Sequence, residues 1–155
     1  MINHSQKAMD LFKEGYNCSQ SIFLAFSDII NLGEETMLKI SSSFGGGMGR
    51  LREVCGAVSG MFMVLGYLYG YSEPKAYQEK TEHYKLIQAF ADKFKNENGS
   101  IICRELLGLE KGPDNPVPEK RTDEYYKKRP CGELIGYAAK ILEEYIYSKE
   151  ELKWK

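Results

Sequence analysis

Cys18, Cys55, Cys103 and Cys131 are the residues of this 155-residue chain best suited to do chemistry together. No two of them stand in C-x-x-C spacing, so neither a thioredoxin motif nor a zinc knuckle is present. There is no C-x-x-C-H, so no haem attachment is expected. Their placement relative to helix signals is more informative. Cys18 directly follows Asn17, a good N-cap residue, and Gln20 lies three positions on, as in a capping box. Cys103 comes three residues after Ser100, which reads as a cap. Cys131 follows Pro130, which suits a first helical turn. Cys55 falls in the first or second turn after a glycine-rich segment. All four thus lie near helix starts, where unpaired N–H groups and the positive end of the dipole favour a thiolate over a thiol. Thiolates are the nucleophiles of disulfide exchange and the ligands of soft metals. Arg50 and Arg52, just before Cys55, are placed to stabilise an anionic sulfur, and Cys55 is the member expected in any exchange pair. Taken singly, each cysteine reads equally well as an inert core thiol, because free cysteine is among the most buried residue types.

The elements that must carry these residues are helical. The spacing predicts a helix over 5–14, ended by Gly15, and a second after Asn17 with Ile22, Phe23, Ala25, Phe26 and Ile29 apolar. A third opens at Glu34 and Glu35 and runs to about Ser43. Residues 44–50, with four glycines, read as a loop. A fourth helix over about 51–69 is apolar nearly all round and is placed at the centre of the domain. A long fifth helix is expected from a Ser72 cap to Asn96, with Tyr77, Tyr84, Ile87, Phe90, Ala91 and Phe94 inward. A short helix over 101–107 follows, then a Pro- and Gly-rich loop over 108–118. A short helical piece over 123–128 and a last helix from Pro130 complete the chain. No strand is expected. The reading is all-α, a single domain over 1–155 built as a bundle of six to seven helices around the 51–69 helix.

Composition narrows the function. With 21 Lys+Arg against 22 Asp+Glu, the net charge of −1 and the interleaved signs argue against a nucleic-acid binder. The basic run Lys127, Lys128, Arg129 reads as a solvated face. No stretch approaches the ~18–20 apolar residues a membrane span needs. The N-terminal segment lacks an apolar signal core, so a cytoplasmic location is expected, where static disulfides are rare. Gly45 to Gly49 lack the Gly-Lys-Ser/Thr ending of a phosphate loop and read as a tight turn. His4 and His83 are lone histidines, and His83 reads as solvent-facing. Glu14, Glu53, Glu105 and Glu133 lie near cysteines and are candidates to move a proton.

The segments GYNCSQ at 15–20, FGGGMGR at 44–50, CGAVSG at 55–60, CRELLG at 103–108 and the single Cys131 together resemble the C_GCAxxG_C_C family, described as redox-active proteins. The resemblance runs from about residue 8 to 145. Gly132, after Cys131, is a looser match to the local pattern. The resemblance implies a helical redox protein with each of the four cysteines as a redox residue, often encoded beside transporter genes. A similar domain occurs in split-Soret-type cytochromes, where an iron–sulfur centre is associated with the cysteines. This chain lacks the haem part.

The expected function is thiol–disulfide exchange or electron transfer, with Cys18, Cys55, Cys103 and Cys131 as catalytic thiols or as metal ligands. As ligands they would hold an iron–sulfur cluster, in the first place [2Fe–2S], or a zinc ion. An unidentified redox protein is the expected partner, and a homodimer is compatible with the sequence. The alternative is a structural or interaction module beside a transport system, zinc-binding or with inert cysteines.

Overall fold

A computed structural model describes residues 2–110 and 112–153. The chain forms α1 (His4–Lys13), α2 (Cys18–Ala25), α3 (Glu34–Ser42), α4 (Gly56–Tyr69), α5 (Tyr77–Asn98), α6 (Cys103–Leu106), α7 (Asp123–Lys128) and α8 (Cys131–Lys153). The architecture is all-α, as the helical periodicity predicts. The Asn17 capping box is formed in full, with Asn17 Oδ1 accepting from the Gln20 backbone at 2.9 Å and Gln20 Oε1 accepting from the Asn17 backbone at 3.1 Å.

The apolar α4 lies at the centre and shares that place with α2. The two helices pack along each other, α1 and α3 rest on α2, and α8 closes the bundle against α1, α2 and α4. Ile22, Phe26, Val58, Met61, Leu65, Ile135 and Leu142 are all fully buried between them. His4 is buried too, stacked on Phe26 with ring centroids 4.3 Å apart. Its Nδ1 meets Glu143 at 2.7 Å and its Nε2 meets Asp28 at 3.0 Å, so α1, α8 and the turn after α2 are tied together at one point.

Several boundaries differ from the sequence reading, each for a physical reason. The central helix begins at residue 56 rather than 51, because residues 53–55 run extended. They form an antiparallel bridge, Val54 opposite Ile102, with Cys55 N–H donating to Ile101 C=O at 2.8 Å and Cys103 N–H to Glu53 C=O at 2.6 Å. The same bridge delays α6 to Cys103. Ser100 does not cap it; its hydroxyl accepts from Ile102 N–H and donates to Glu105 instead. Ser72 caps nothing, and α5 starts five residues later at Tyr77. Only Phe90 and Phe94 of the expected inner stripe of α5 are buried. Tyr77 and Tyr84 are exposed, because α5 leans on the bundle through its second half. His83 is half-buried, its ring edge-on to Tyr71, rather than solvent-facing.

The α2–α4 crossing depends on a missing side chain. A Cβ added at Gly60 would stand 2.8 Å from Ile22 Cβ and 2.9 Å from Ser19 C=O. Gly66, two turns further along the same helix, has nothing within 4 Å of that position. Gly60→Ala is therefore expected to destabilise the fold by about 1–3 kcal/mol through overpacking. Gly66→Ala is expected to stabilise it by about 0.4–1 kcal/mol through the unfolded chain. Urea denaturation midpoints moving in opposite directions would check both; equal shifts would contradict the close crossing.

Candidate functional site

Each cysteine opens a helix. Cys18 is the first residue of α2, Cys103 of α6 and Cys131 of α8, and Cys55 is the N-cap of α4. Those four helix starts gather at one end of the bundle. All four cysteines line a single cavity of about 190 Å³, together with Asn17, Gly45 to Gly47, Arg50, Arg52, Glu119, Arg121, Tyr125 and Arg129. All four thiols are free.

Two backbone devices bring the sulfurs together. The first is the bridge at Val54 and Ile102, which fixes Cys55 and Cys103 as the residues immediately following the paired positions on two antiparallel segments. The second is the glycine segment. Gly46, Gly47, Met48, Gly49 and Arg50 all have φ between +63° and +68°, a turn wound left-handed, with Gly49 N–H bonded to Gly45 C=O at 2.9 Å. The loop expected from the glycine content is thus a defined turn. At Gly47 the need for glycine is twofold, since φ is +68° and a Cβ would lie 2.5 Å from Cys103 Cβ. Gly56 plays the same part for Cys18, whose Cβ would be 2.8 Å from a Cβ at residue 56.

The thiols divide into two kinds. Cys18 and Cys131 are half-buried and both line the cavity. The neighbouring Cys18 thiol lowers Cys131 to about 7. Burial opposes the shift, and the charges of Arg129, Arg121 and Arg52 assist it. Cys18 is raised well above the ordinary range by the Cys131 sulfur, by burial and by the other sulfurs. Cys55 and Cys103 are buried. Burial pushes Cys55 up to about 12, and the N–H groups of Ala57 and Val58 offset this only in part. Burial also raises Cys103, against the pull of Arg52, whose Nη1 donates to its sulfur at 3.6 Å.

A helix-start contribution is seen at Cys55, through the N–H groups of Ala57 and Val58, and burial outweighs it there; Cys131 is lowered by Cys18 and the arginines instead, and Cys18 is raised first by Cys131. The arginine expected to serve Cys55 serves Cys103. The carboxylates expected near the thiols do not line the cavity. Glu53 pairs with Arg104 and Glu105 with Ser100, while Glu119 is the carboxylate that faces the sulfurs. Sequence reasoning missed Arg121, Arg129 and Glu119. Arg129 stands two residues before Cys131, a signal set aside when the basic run was read as solvated; its side chain is only 15% exposed.

A single tetrahedral ion would need its sulfurs at about 2.3 Å from one point. Among the described residues, no three His, Cys, Asp or Glu side chains are placed to hold one ion. As arranged, the thiols do not fit such a site. No described helix is long and apolar enough to cross a membrane.

Comparison with known proteins agrees with the residue pattern. The family described as "Putative redox-active protein (C_GCAxxG_C_C)" matches residues 16–145, a span that contains all four cysteines. An uncharacterised protein of Archaeoglobus fulgidus is 26% identical over 143 residues, covering 88% of this chain and 88% of its own length. No solved structure matches.

Proposed function

Because the chain belongs to the C_GCAxxG_C_C family, whose description is of redox-active proteins, we propose that it carries out thiol–disulfide exchange, with Cys18 and Cys131 as the exchanging pair. The observation that supports this reading is that Cys18 and Cys131 line the same cavity and are the less buried two of its four thiols, with Cys131 lowered to about 7 by the neighbouring Cys18 thiol. An efficient attacking thiol has a pKa near the ambient pH, and a resolving thiol must lie within bonding reach of it.

The chemistry balances with a disulfide, RS–SR, as oxidant. The Cys131 thiolate attacks one sulfur of RS–SR; a Cys131–SR bond forms, the RS–SR bond breaks and RS⁻ leaves. Cys18 then attacks the Cys131 sulfur, expels the second RS⁻ and gives up its proton to it. Two electrons pass from the cysteine pair to the disulfide, and the protein is left with a Cys18–Cys131 bond. In the opposite direction the same steps oxidise a dithiol. Cys55 and Cys103, the two buried thiols of the same cavity, are the thiols to which the oxidised state can be relayed. A single ion such as zinc is not part of this reading, since no three donors among the described residues are placed to hold one; a [2Fe–2S] cluster, with two sulfurs on each iron, is the separate proposal the same four cysteines allow.

The test is trapping. Reduced Cys18→Ser protein exposed to a small disulfide under anaerobic conditions is expected to stop at a mixed disulfide on Cys131, detected by intact mass and peptide mapping. The wild type is expected to proceed to a Cys18–Cys131 bond, and Cys131→Ser to react no faster than an unfolded thiol. Trapping on Cys55 or Cys103 in preference to Cys131, or a wild-type protein inert until unfolded, would refute the assignment. The inert outcome would favour an interaction module.

A further inference from the structure

The cavity that holds the thiols is lined by four guanidinium groups, Arg50, Arg52, Arg121 and Arg129, and by one carboxylate, Glu119. The arginines sit deep: Arg52 is 4% exposed, and the side chains of Arg50 and Arg129 are 16% and 15% exposed. Their carboxylate partners sit further out, on the extended segment that runs from the end of α6 to the start of α7 over the cavity. Asp114 pairs with Arg52 at 3.0 Å and with Arg50 at 3.5 Å, and Glu119 pairs with Arg129. Asp114 and Glu119 are 37% and 43% exposed. Arg121 differs from the other three. Its Nη1 and Nη2 donate to the C=O groups of Phe12 and Tyr16 at 2.8 and 3.0 Å, its guanidinium lies 4.2 Å from the Phe12 ring centroid, and no carboxylate pairs with it among the described residues. Two carboxylates thus face four guanidinium groups, and the excess charge is positive even beside one thiolate.

We propose that the molecule handled at the Cys18–Cys131 pair is a small anionic thiol or disulfide, such as a mercaptocarboxylate, whose negative group is received by the cavity arginines. The inference rests on the exchange reading above and adds the substrate class to it. Size supports the small-molecule form. A cavity of about 150 Å³ accommodates a benzene-sized guest, so the 190 Å³ here suits one half of a small disulfide. Charge supports the anion. In a recessed, cationic cleft the field is focused and weakly screened, which raises the local concentration of anions and excludes cations. Asp114 and Glu119 act as built-in competitors, occupying guanidinium groups that a substrate carboxylate would otherwise engage bidentately.

Two reagent pairs test this on the intact chain. The first compares iodoacetate with iodoacetamide, near-isosteres that differ in charge. Relative to a free cysteine, Cys131 is expected to favour iodoacetate by roughly tenfold, the lower end of the gain that charge-lined clefts give. The preference is expected to shrink with added salt and in Arg121→Gln, and to grow in Asp114→Asn, which releases Arg50 and Arg52. Because Arg121 also holds the end of α1, its variant is read only if its melting transition persists; the opposite-signed Asp114 variant and the salt dependence stand without it. The second pair extends to substrates: dithiodiglycolate is expected to oxidise the protein faster than bis(2-hydroxyethyl) disulfide, and cystamine slowest. Equal rates for the three disulfides, or an iodoacetate ratio no higher than that of free cysteine, overturn the anionic-substrate inference alone. Failure of all three to react at Cys131 while alkylation proceeds overturns the exchange reading, and this inference with it.

Discussion

Replacing Cys18 with alanine is expected to shift the alkylation profile of Cys131 upward along the pH axis, from a midpoint of about 7 towards the ordinary 9.0. The neighbouring Cys18 thiol is the largest contribution to the lowered value, and alanine removes it outright. The rate effect follows with its sign. At pH 7 the wild-type sulfur is about half thiolate, and a full return to 9.0 would leave about 1%, a loss of roughly fiftyfold in the reactive form. Nucleophilicity rises with pKa at a Brønsted slope of about 0.4–0.5, which restores roughly eightfold, so the net outer limit is about a sixfold slower reaction at pH 7. From about one pH unit below the new midpoint upward the order reverses and the variant reacts faster than the wild type. Cys18→Ser, whose hydroxyl can still donate, is expected to keep most of the lowered value. Iodoacetamide rates at Cys131 between pH 5 and 10, followed by peptide mass spectrometry, supply the measurement. An unchanged profile in Cys18→Ala would assign the lowering to Arg129, Arg121 and Arg52 instead.

Gly47→Ala is expected to be the most damaging single methyl group in the site. The left-handed φ of +68° costs an alanine about 1–2 kcal/mol. The added Cβ would also stand 2.8 Å from Arg52 Cα and 2.9 Å from Glu53 N, both backbone atoms that cannot swing aside, and 2.5 Å from Cys103 Cβ. Strain and overpacking together come to about 2–5 kcal/mol. Gly108 supplies the control, because its φ is also +68° but nothing lies within 4 Å of its Cβ position. Gly108→Ala should therefore cost only the conformational part, about 1–2 kcal/mol. The difference between the two urea midpoints isolates the contacts with Cys103, Arg52 and Glu53. In Gly47→Ala the Cys103 thiol should also become easier to alkylate, because the segment that carries Arg52 and Glu53 must move away from it. Equal costs at the two glycines would show that the turn is not pressed against the sulfur.

Much of this is legible in the sequence. Helical periodicity and the Asn17–Gln20 pair located the starts of α1 to α3, α7 and α8 within a residue or two, although α2 ends at Ala25, short of the Ile29 expected on it, and helix-start signals placed every cysteine near the N-terminus of a helix. The misplaced starts at Leu51 and Ile101 share a cause. Residues 53–55 and 101–103 satisfy their backbone groups across the chain rather than along it, and no local pattern encodes a two-residue bridge between segments so far apart. The division of the thiols was illegible for a similar reason. Desolvation depends on what covers a sulfur, and Cys55 has favourable helix-start geometry yet is covered by neighbours on several elements. Arg121 and Arg129 were visible as residues but not as cavity residues, because only the path of the segment after α6 brings them over the sulfurs.

The bridge between Val54 and Ile102 has a topological consequence. It closes α4, the turn at 70–76 and α5 into one long loop whose two ends are Cys55 and Cys103. The tip of that loop lies one helix length from the bridge, about 20 Å for the 14 residues of α4 at 1.5 Å each. The entropy of closing a loop grows only logarithmically, about 0.6 kcal/mol for each doubling in length. Residues inserted at the tip should therefore leave the sulfurs in register, which makes the 70–76 turn the natural place to splice in a fluorescent or affinity domain. The same closure links the two buried thiols through one pair of backbone bonds, Cys55 N–H to Ile101 C=O and Cys103 N–H to Glu53 C=O.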